Sequence, residues 1–294
     1  MQTRAAAPVI FGGAWLLFAA GAIVLYRGLT QSLSIDEAYA YHLFLNQKAS
    51  VLFQRYDASY HVLQTWASWL AVHKFGKSEP VLRLPSMVAG LFYLAGAGRL
   101  CRRLAGDGWG FPVGAVLLSA NPLVADYLSA ARGYGGALAF FAWAFDALLA
   151  GRLAPAGILL ALSVACNLTF LIPAVATVAT FVAFQTSRGE PAWPQAQRLL
   201  LPFLAVAFAI LAVPLWHAHA GDYYYGAEDL GTSLTTLIAP TLVHADRFAR
   251  AGWRCSSGLP FLHSPSYCSS QERSPLDAAP RPRYSRPDRG RSAS

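Results

Sequence analysis

The chain has 294 residues, of which 55% are hydrophobic and 13% charged, about half the charged share of an ordinary soluble domain (roughly 25%). Its mean hydropathy is +0.38, and its apolar runs of spanning length place it in a bilayer rather than among soluble enzymes and binding modules. The net charge of +8 does not argue for a nucleic-acid partner, because residues 247–294 alone hold nine arginines, no lysine and three acids.

Two architectures satisfy every backbone polar group in lipid, the helix and the closed barrel. Barrel strands alternate in short segments; runs such as Val113–Leu118 and Phe203–Leu211 do not alternate. The fold class is therefore an all-α polytopic membrane protein.

Pro8–Tyr26 is uncharged and longer than the apolar core of a signal peptide, with Arg4 ahead of it; it reads as an uncleaved first span. Residues 28–82 are semi-polar and form a long first external loop. Within it Asp36–Gln47 has the pattern of a surface helix. In Tyr60–Phe75, Leu63, Trp66, Leu70 and Phe75 recur at helical spacing, and His61, Gln64, Ser68 and Lys74 fill the remaining surface. That stretch is short and interrupted, which fits an interfacial helix better than a span.

Charge supports the flat reading. With Tyr60–Phe75 lying outside, Leu84–Gly98 delivers Arg99, Arg102 and Arg103 to the cytoplasm, Trp109–Val124 returns outward, and Ala137–Leu149 goes in to meet Arg152. Residues 155–185 form two shorter spans broken around Asn167–Pro173 and end inside at Arg188; Leu199–Trp216 then crosses outward, just after Arg198. Every short basic loop falls inside, giving about seven spans with the N-terminus cytoplasmic. Dense Ala and Gly, as in Ala95-Gly96-Ala97-Gly98, read as close helix packing.

The expected division is a membrane core over residues 1–220, with external loops at 28–82 and 125–135, an amphipathic external segment at 221–246, and an Arg/Ser/Pro-rich disordered tail at 247–294. The tail also resembles the product of a shifted reading frame, in which case further spans would have followed residue 246. The four cysteines have no metal-ligand spacing: Cys101 and Cys166 read as small hydrophobes, and Cys255 and Cys268 are free to pair if they lie outside.

Two features carry chemistry. Asp36 and Glu37 form an adjacent acidic pair in the first external loop. Their simplest role is structural, with Ser34 or Asp36 capping a helix and Glu37 in its first turn. Arg132, in Ala131-Arg132-Gly133-Tyr134, is a positive charge on the outer side, against the bias of the other loops. It either snorkels to headgroups or forks an anionic oxygen such as a phosphate. A carboxylate base and a phosphate-clamping arginine on one face suggest transfer from a phosphate-linked, membrane-embedded donor.

At four places the chain resembles the polytopic GT-C glycosyltransferases, specifically bacterial relatives of dolichyl-phosphate-mannose protein mannosyltransferases and the lipid A aminoarabinose transferase. Ser34-Ile35-Asp36-Glu37-Ala38-Tyr39 resembles their first-loop acidic motif. Asp57 to Leu63, continuing to Trp69, resembles the histidine-containing juxtamembrane helix. Glu79 to Ser86 resembles the Arg-Leu-Pro-Ser entry to the second span, and Asn121-Pro122 with Ala131 to Tyr134 resembles the second external loop. The family often has His-Pro-Pro where this chain has His61-Val62-Leu63, and a histidine where Asn167 stands.

The resemblance implies a GT-C-like bundle in the bacterial inner membrane, with an extracytoplasmic active site. It implies a polyprenyl-phosphate-linked sugar donor and a hydroxyl acceptor on a glycan, lipid or protein. Asp36 would be the base of an inverting transfer, with Glu37 beside it and burial of the pair raising one carboxylate's pKa. Arg132 and Arg83 would hold the departing donor phosphate. Asp57, His61, Asp126, Tyr134 and Tyr224 would line the acceptor or sugar pocket, and a divalent cation (Mg or Mn) is an optional addition at Asp57 and His61. The rival classes are a transporter or flippase of lipid-linked sugars, which calls for polar residues at midplane and related halves, and a non-catalytic membrane fragment of such an enzyme.

Overall fold

A computed structural model of the chain describes residues 3–57, 59–106 and 108–219, together with Gly231 and Leu234. These residues lie in one compact unit, Met1–Leu234. The amphipathic segment, the tail, Cys255 and Cys268 lie outside the described residues.

The described secondary structure is helical: α1 (Thr3–Thr30), α2 (Ile35–Ala40), α3 (Val51–Gln54), α4 (Val62–Phe75), α5 (Glu79–Ala105), α6 (Gly110–Ser119), α7 (Pro122–Ser129), α8 (Tyr134–Leu149), α9 (Leu153–Cys166), α10 (Leu171–Ser187) and α11 (Ala192–Trp216). By length and composition, four segments are able to cross a membrane: Val9–Thr30, Glu79–Ala105, Leu168–Ser187 and Ala192–Trp216. A fifth arises if α6 and α7 count as one span. Helices α8 and α9 are apolar but shorter.

Helix α5 is the centre of one half of the bundle, packing against α1, α4, α6, α7 and α8; α8 then packs on α9, and α9 on α11. Small residues set the spacing. A methyl group on Gly157 would lie 2.1 Å from the Leu199 carbonyl oxygen, so α9 and α11 meet backbone to backbone, as small residues permit in lipid. Helix α10 stands at the edge, with only 11% of its spanning window buried.

Three local readings change. Trp109–Val124 is not one run: the chain bends by 62° between α6 and α7. Asn121 caps α7 by accepting from the Leu123 amide, and Pro122 follows at the first helical position, where its missing N–H costs nothing. Second, α4 does not sort into an apolar inner face and a polar outer one. Gln64, Thr65 and Ser68 are buried, while Leu70 and Phe75 are 60% and 62% exposed. The polar side chains point inward because they are paired there: Gln64 donates to Ser68 Oγ at 3.0 Å and Ser68 to the Leu82 carbonyl at 2.9 Å. Val62, Ala71 and Val72 are buried beside them, so the inner face of α4 mixes paired polar and apolar side chains. Third, the surface helix over Asp36–Gln47 is α2 followed by a wider π-turn at Tyr41–Leu45, which buries Phe44 and Leu45.

The ends of the bundle differ. Where α5 ends, Asp146 of α8 takes Arg99 Nε at 2.8 Å and Arg103 Nε at 2.7 Å. An acid that would be costly alone in an apolar helix is thereby paired. The other end carries the acidic loop.

Candidate functional site

Ser34 opens α2 with a capping box. Its hydroxyl accepts from the Glu37 amide, and the Glu37 side chain accepts from the Ser34 amide at 2.8 Å. This arrangement satisfies two orphan donors of the helix start. It also fixes which of the two adjacent acids turns inward, because neighbours on a helix point about 100° apart.

Glu37 is the one that turns inward. It is 1% exposed and accepts from Arg83 Nε at 2.8 Å, Arg83 Nη2 at 2.6 Å and the Ala131 amide at 2.8 Å. Arg83, itself 2% exposed, donates further to the carbonyls of Gln31 at 2.5 Å and Ser32 at 2.8 Å. Burial pushes the Glu37 carboxyl up, but hydrogen bonds from Arg83, Ala131 and Ser34 outweigh it and hold the group at about 2. The buried acid is thus firmly ionised, so Glu37 is not the raised carboxylate of the pair. Glu37 and Arg83 form a strut tying the first loop, the start of α5 and the second loop together. Neither lines the cleft, and both are enclosed by their partners, apart from Asp36 and Arg132 with which the sequence grouped them.

Asp36 turns outward. Its Oδ2 meets Arg132 Nη2 at 2.7 Å, with the two side chains 59% and 33% exposed. They line a polar cleft of about 370 Å³ together with Tyr39, Ser59, His61 and Tyr134. Arg132 is presented by the backbone on either side of it. The Ala131 amide is held by Glu37, and Gly133 takes φ +74°, where an added Cβ would sit 2.2 Å from the Cys166 carbonyl oxygen and 2.9 Å from His61 Cβ. Only glycine fits that turn.

His61 ends the loop before α4, with its ring 5.8 Å from that of Tyr134; Tyr134 stacks on Tyr127 at 4.2 Å. Burial lowers the imidazole, the Arg132 charge lowers it further, and Asp36 opposes both, leaving it at about 4. His61 is neutral near pH 7, a hydrogen-bonding group and not a cation.

The remaining sequence candidates separate. Asp57 sits at the rim: its Oδ1 accepts from the Ser59 amide at 2.9 Å and the Ser59 hydroxyl at 2.7 Å, which orients Ser59 into the cleft. Asp126 pairs with Arg27 at the end of α1 and does not line the cleft; its local surroundings join α7 to α1. Tyr224 lies outside the described residues. Tyr39 and Ser59 were missed as site residues, although Asp57-x-Ser59 is an Asx-turn spacing that the sequence displays.

Among the described residues no group of three or more His, Cys, Asp or Glu stands together as a metal set. The cleft offers one carboxylate, already paired with Arg132, whereas Mg²⁺ or Ca²⁺ takes six or more oxygen ligands. Among the described residues the cleft thus supplies a single carboxylate, and the transfer chemistry proposed for it runs without a metal.

No protein-family model, curated protein or solved structure matches this chain.

Proposed function

We propose that the chain is the core of a membrane glycosyltransferase of the GT-C kind, moving a sugar from a polyprenyl-phosphate donor to a hydroxyl acceptor at the outer face. The observation that carries this reading is the Asp36–Arg132 pair at 2.7 Å in a polar cleft at one end of an apolar helix bundle. A base and a phosphate fork are neighbours there, on loops held from beneath by Glu37 and Arg83. The reading also has α8, α9 and the bent α6–α7 pair crossing the bilayer with the four long helices, giving seven spans. The end of α5 with Arg99, Arg102 and Arg103, and Arg152, Arg188 and Arg198 beside the other helices, then face the cytoplasm of a bacterial inner membrane.

In the resting pair each charge neutralises the other. A donor phosphate competes for Arg132, whose planar fork suits phosphate oxygens, and its arrival frees the Asp36 carboxylate. Asp36 then takes the proton of the acceptor hydroxyl while that oxygen attacks the anomeric carbon. The bond from the anomeric carbon to the phosphate oxygen breaks, and its electron pair leaves on the phosphate, where Arg132 stabilises the developing charge. One displacement by one base inverts the anomeric centre. Neutral His61, with Tyr134, Tyr39 and Ser59, supplies hydrogen bonds to sugar hydroxyls. The base becomes available only once the donor has docked.

Donor binding tests the exchange of partners. In detergent, Asp36→Asn frees Arg132 and is expected to bind a polyprenyl-phosphate sugar as tightly as wild type or more so, whereas Arg132→Ala is expected to weaken it by at least about tenfold. Weakening by Asp36→Asn equal to that by Arg132→Ala would contradict the competition.

A further inference from the structure

At the far end of α8 from the cleft, two cavities flank the turn between α8 and α9. One, of about 790 Å³, is a groove between α8 and α10, walled by Phe141, Phe145, Phe181 and Phe184 and closed at one end by Gln185 and Arg188. The other, of about 730 Å³, lies between the starts of α9 and α11 and contains Arg152 and Arg198 above Leu201 and Pro202. Gly151 and Leu153 belong to both.

Their chemistry is one-sided. Three arginines line the two cavities and no Asp or Glu does. None of Arg152, Arg188 and Arg198 takes part in an ion pair among the described residues; Arg188 lies over the Phe184 ring, 5.1 Å from its centroid. The basic cluster at the end of α5 differs, since Arg99 and Arg103 are offset by Asp146. The groove has the depth of a lipid chain: from Pro173 to Gln185 along α10 is about 18 Å at a rise of ~1.5 Å per residue, against roughly 15 Å of hydrocarbon in one leaflet. An aromatic-walled groove ending in an uncompensated guanidinium matches an acyl chain beneath a phosphate. The second cavity, with Arg152 and Arg198 across the same turn, matches a second phosphate.

We propose that this end of the bundle is a binding site for a two-phosphate, four-chain lipid of the cardiolipin class. One phosphate sits at Arg188 with a chain in the α8–α10 groove, and the other lies between Arg152 and Arg198. Basic pockets between transmembrane helices are known to hold such headgroups. The site is independent of the glycosyltransferase reading, since it shares no residue with the cleft.

The test is native mass spectrometry of the purified chain in neutral detergent, titrated separately with cardiolipin, phosphatidylglycerol and phosphatidylcholine. One cardiolipin is expected to bind at least tenfold more tightly than phosphatidylglycerol, with no defined phosphatidylcholine adduct. Arg152→Gln with Arg188→Gln is expected to lower cardiolipin affinity at least tenfold at unchanged melting temperature. Arg102→Gln, which removes a charge at the same end of the bundle but outside both cavities, is expected to leave it within twofold. Equal affinity for phosphatidylglycerol would overturn the two-phosphate assignment. An equal loss in Arg102→Gln, or none in the double variant, would overturn the site itself and leave general attraction to a basic end.

Discussion

Replacing Glu37 by Gln removes one charge from a position that is 1% exposed and leaves Arg83 buried with only two carbonyls and an amide oxygen around it. Two routes give the size of the loss. The carboxyl moves from 4.5 to about 2 on folding, and at ~1.36 kcal/mol per unit this is worth about 3 kcal/mol at neutral pH. Breaking one side of a buried ion pair typically costs roughly 3–5 kcal/mol. The sign follows from the lowered folded value: the contribution is complete above about pH 4.5 and is lost as pH falls toward about 2. Unfolding in mixed micelles, followed by tryptophan fluorescence, should show wild type about 3 kcal/mol more stable than Glu37→Gln at pH 7, with the gap closing in acid. Glu37→Gln with Arg83→Met removes both charges and should recover more than half of the loss, because no orphaned ion is left. A deficit below about 1 kcal/mol, or one that does not shrink in acid, would refute the strut.

Three further outcomes follow from the same geometry. Gly133→Ala is expected to destabilise by more than about 2 kcal/mol and to weaken donor binding, since its Cβ meets the Cys166 carbonyl oxygen at 2.2 Å beside Arg132; the melting curve and binding isotherm read both. Asp146→Asn leaves Arg99 and Arg103 facing each other without a carboxylate, and a loss of roughly 2 kcal/mol is expected in the same unfolding assay, discounted for the partial exposure of both arginines. His61 is neutral when folded down to about pH 4 and titrates at 6.5 when free, so the unfolded chain takes up its proton first. Stability should therefore fall by up to about 3 kcal/mol between those values, and His61→Gln should remove that slope.

The helical class, a break near Asn167 and a cap at Ser34 or Asp36, of which Ser34 is the one found, were legible because each depends on local chemistry: run length, backbone hydrogen bonding and cap residues. Asp36 and Arg132 were expected in two external loops; that they touch was not legible. The separation of Asp36 from Glu37 was not legible. The two are adjacent, and what turns Glu37 inward is Arg83, 46 positions away. In α4 periodicity separated an apolar from a polar set without saying which points inward; the hydrogen bond from Ser68 to the Leu82 carbonyl shows that part of the polar set does. Asp126 was grouped with the cleft by its place beside Arg132 in the chain, whereas the partner that claims it, Arg27, comes from α1.

The central claim is that Asp36 and Arg132 transfer a sugar, and sugar transfer is the measurement that tests it most directly. The purified chain would be given radiolabelled polyprenyl-phosphate sugars and a hydroxyl acceptor, beside Asp36→Asn and Arg132→Ala, with the product anomer assigned by NMR. The account predicts an inverted product from wild type and turnover reduced at least about 10²-fold in each variant. Wild-type turnover that persists in folded Asp36→Asn, or a product with retained configuration, would contradict it.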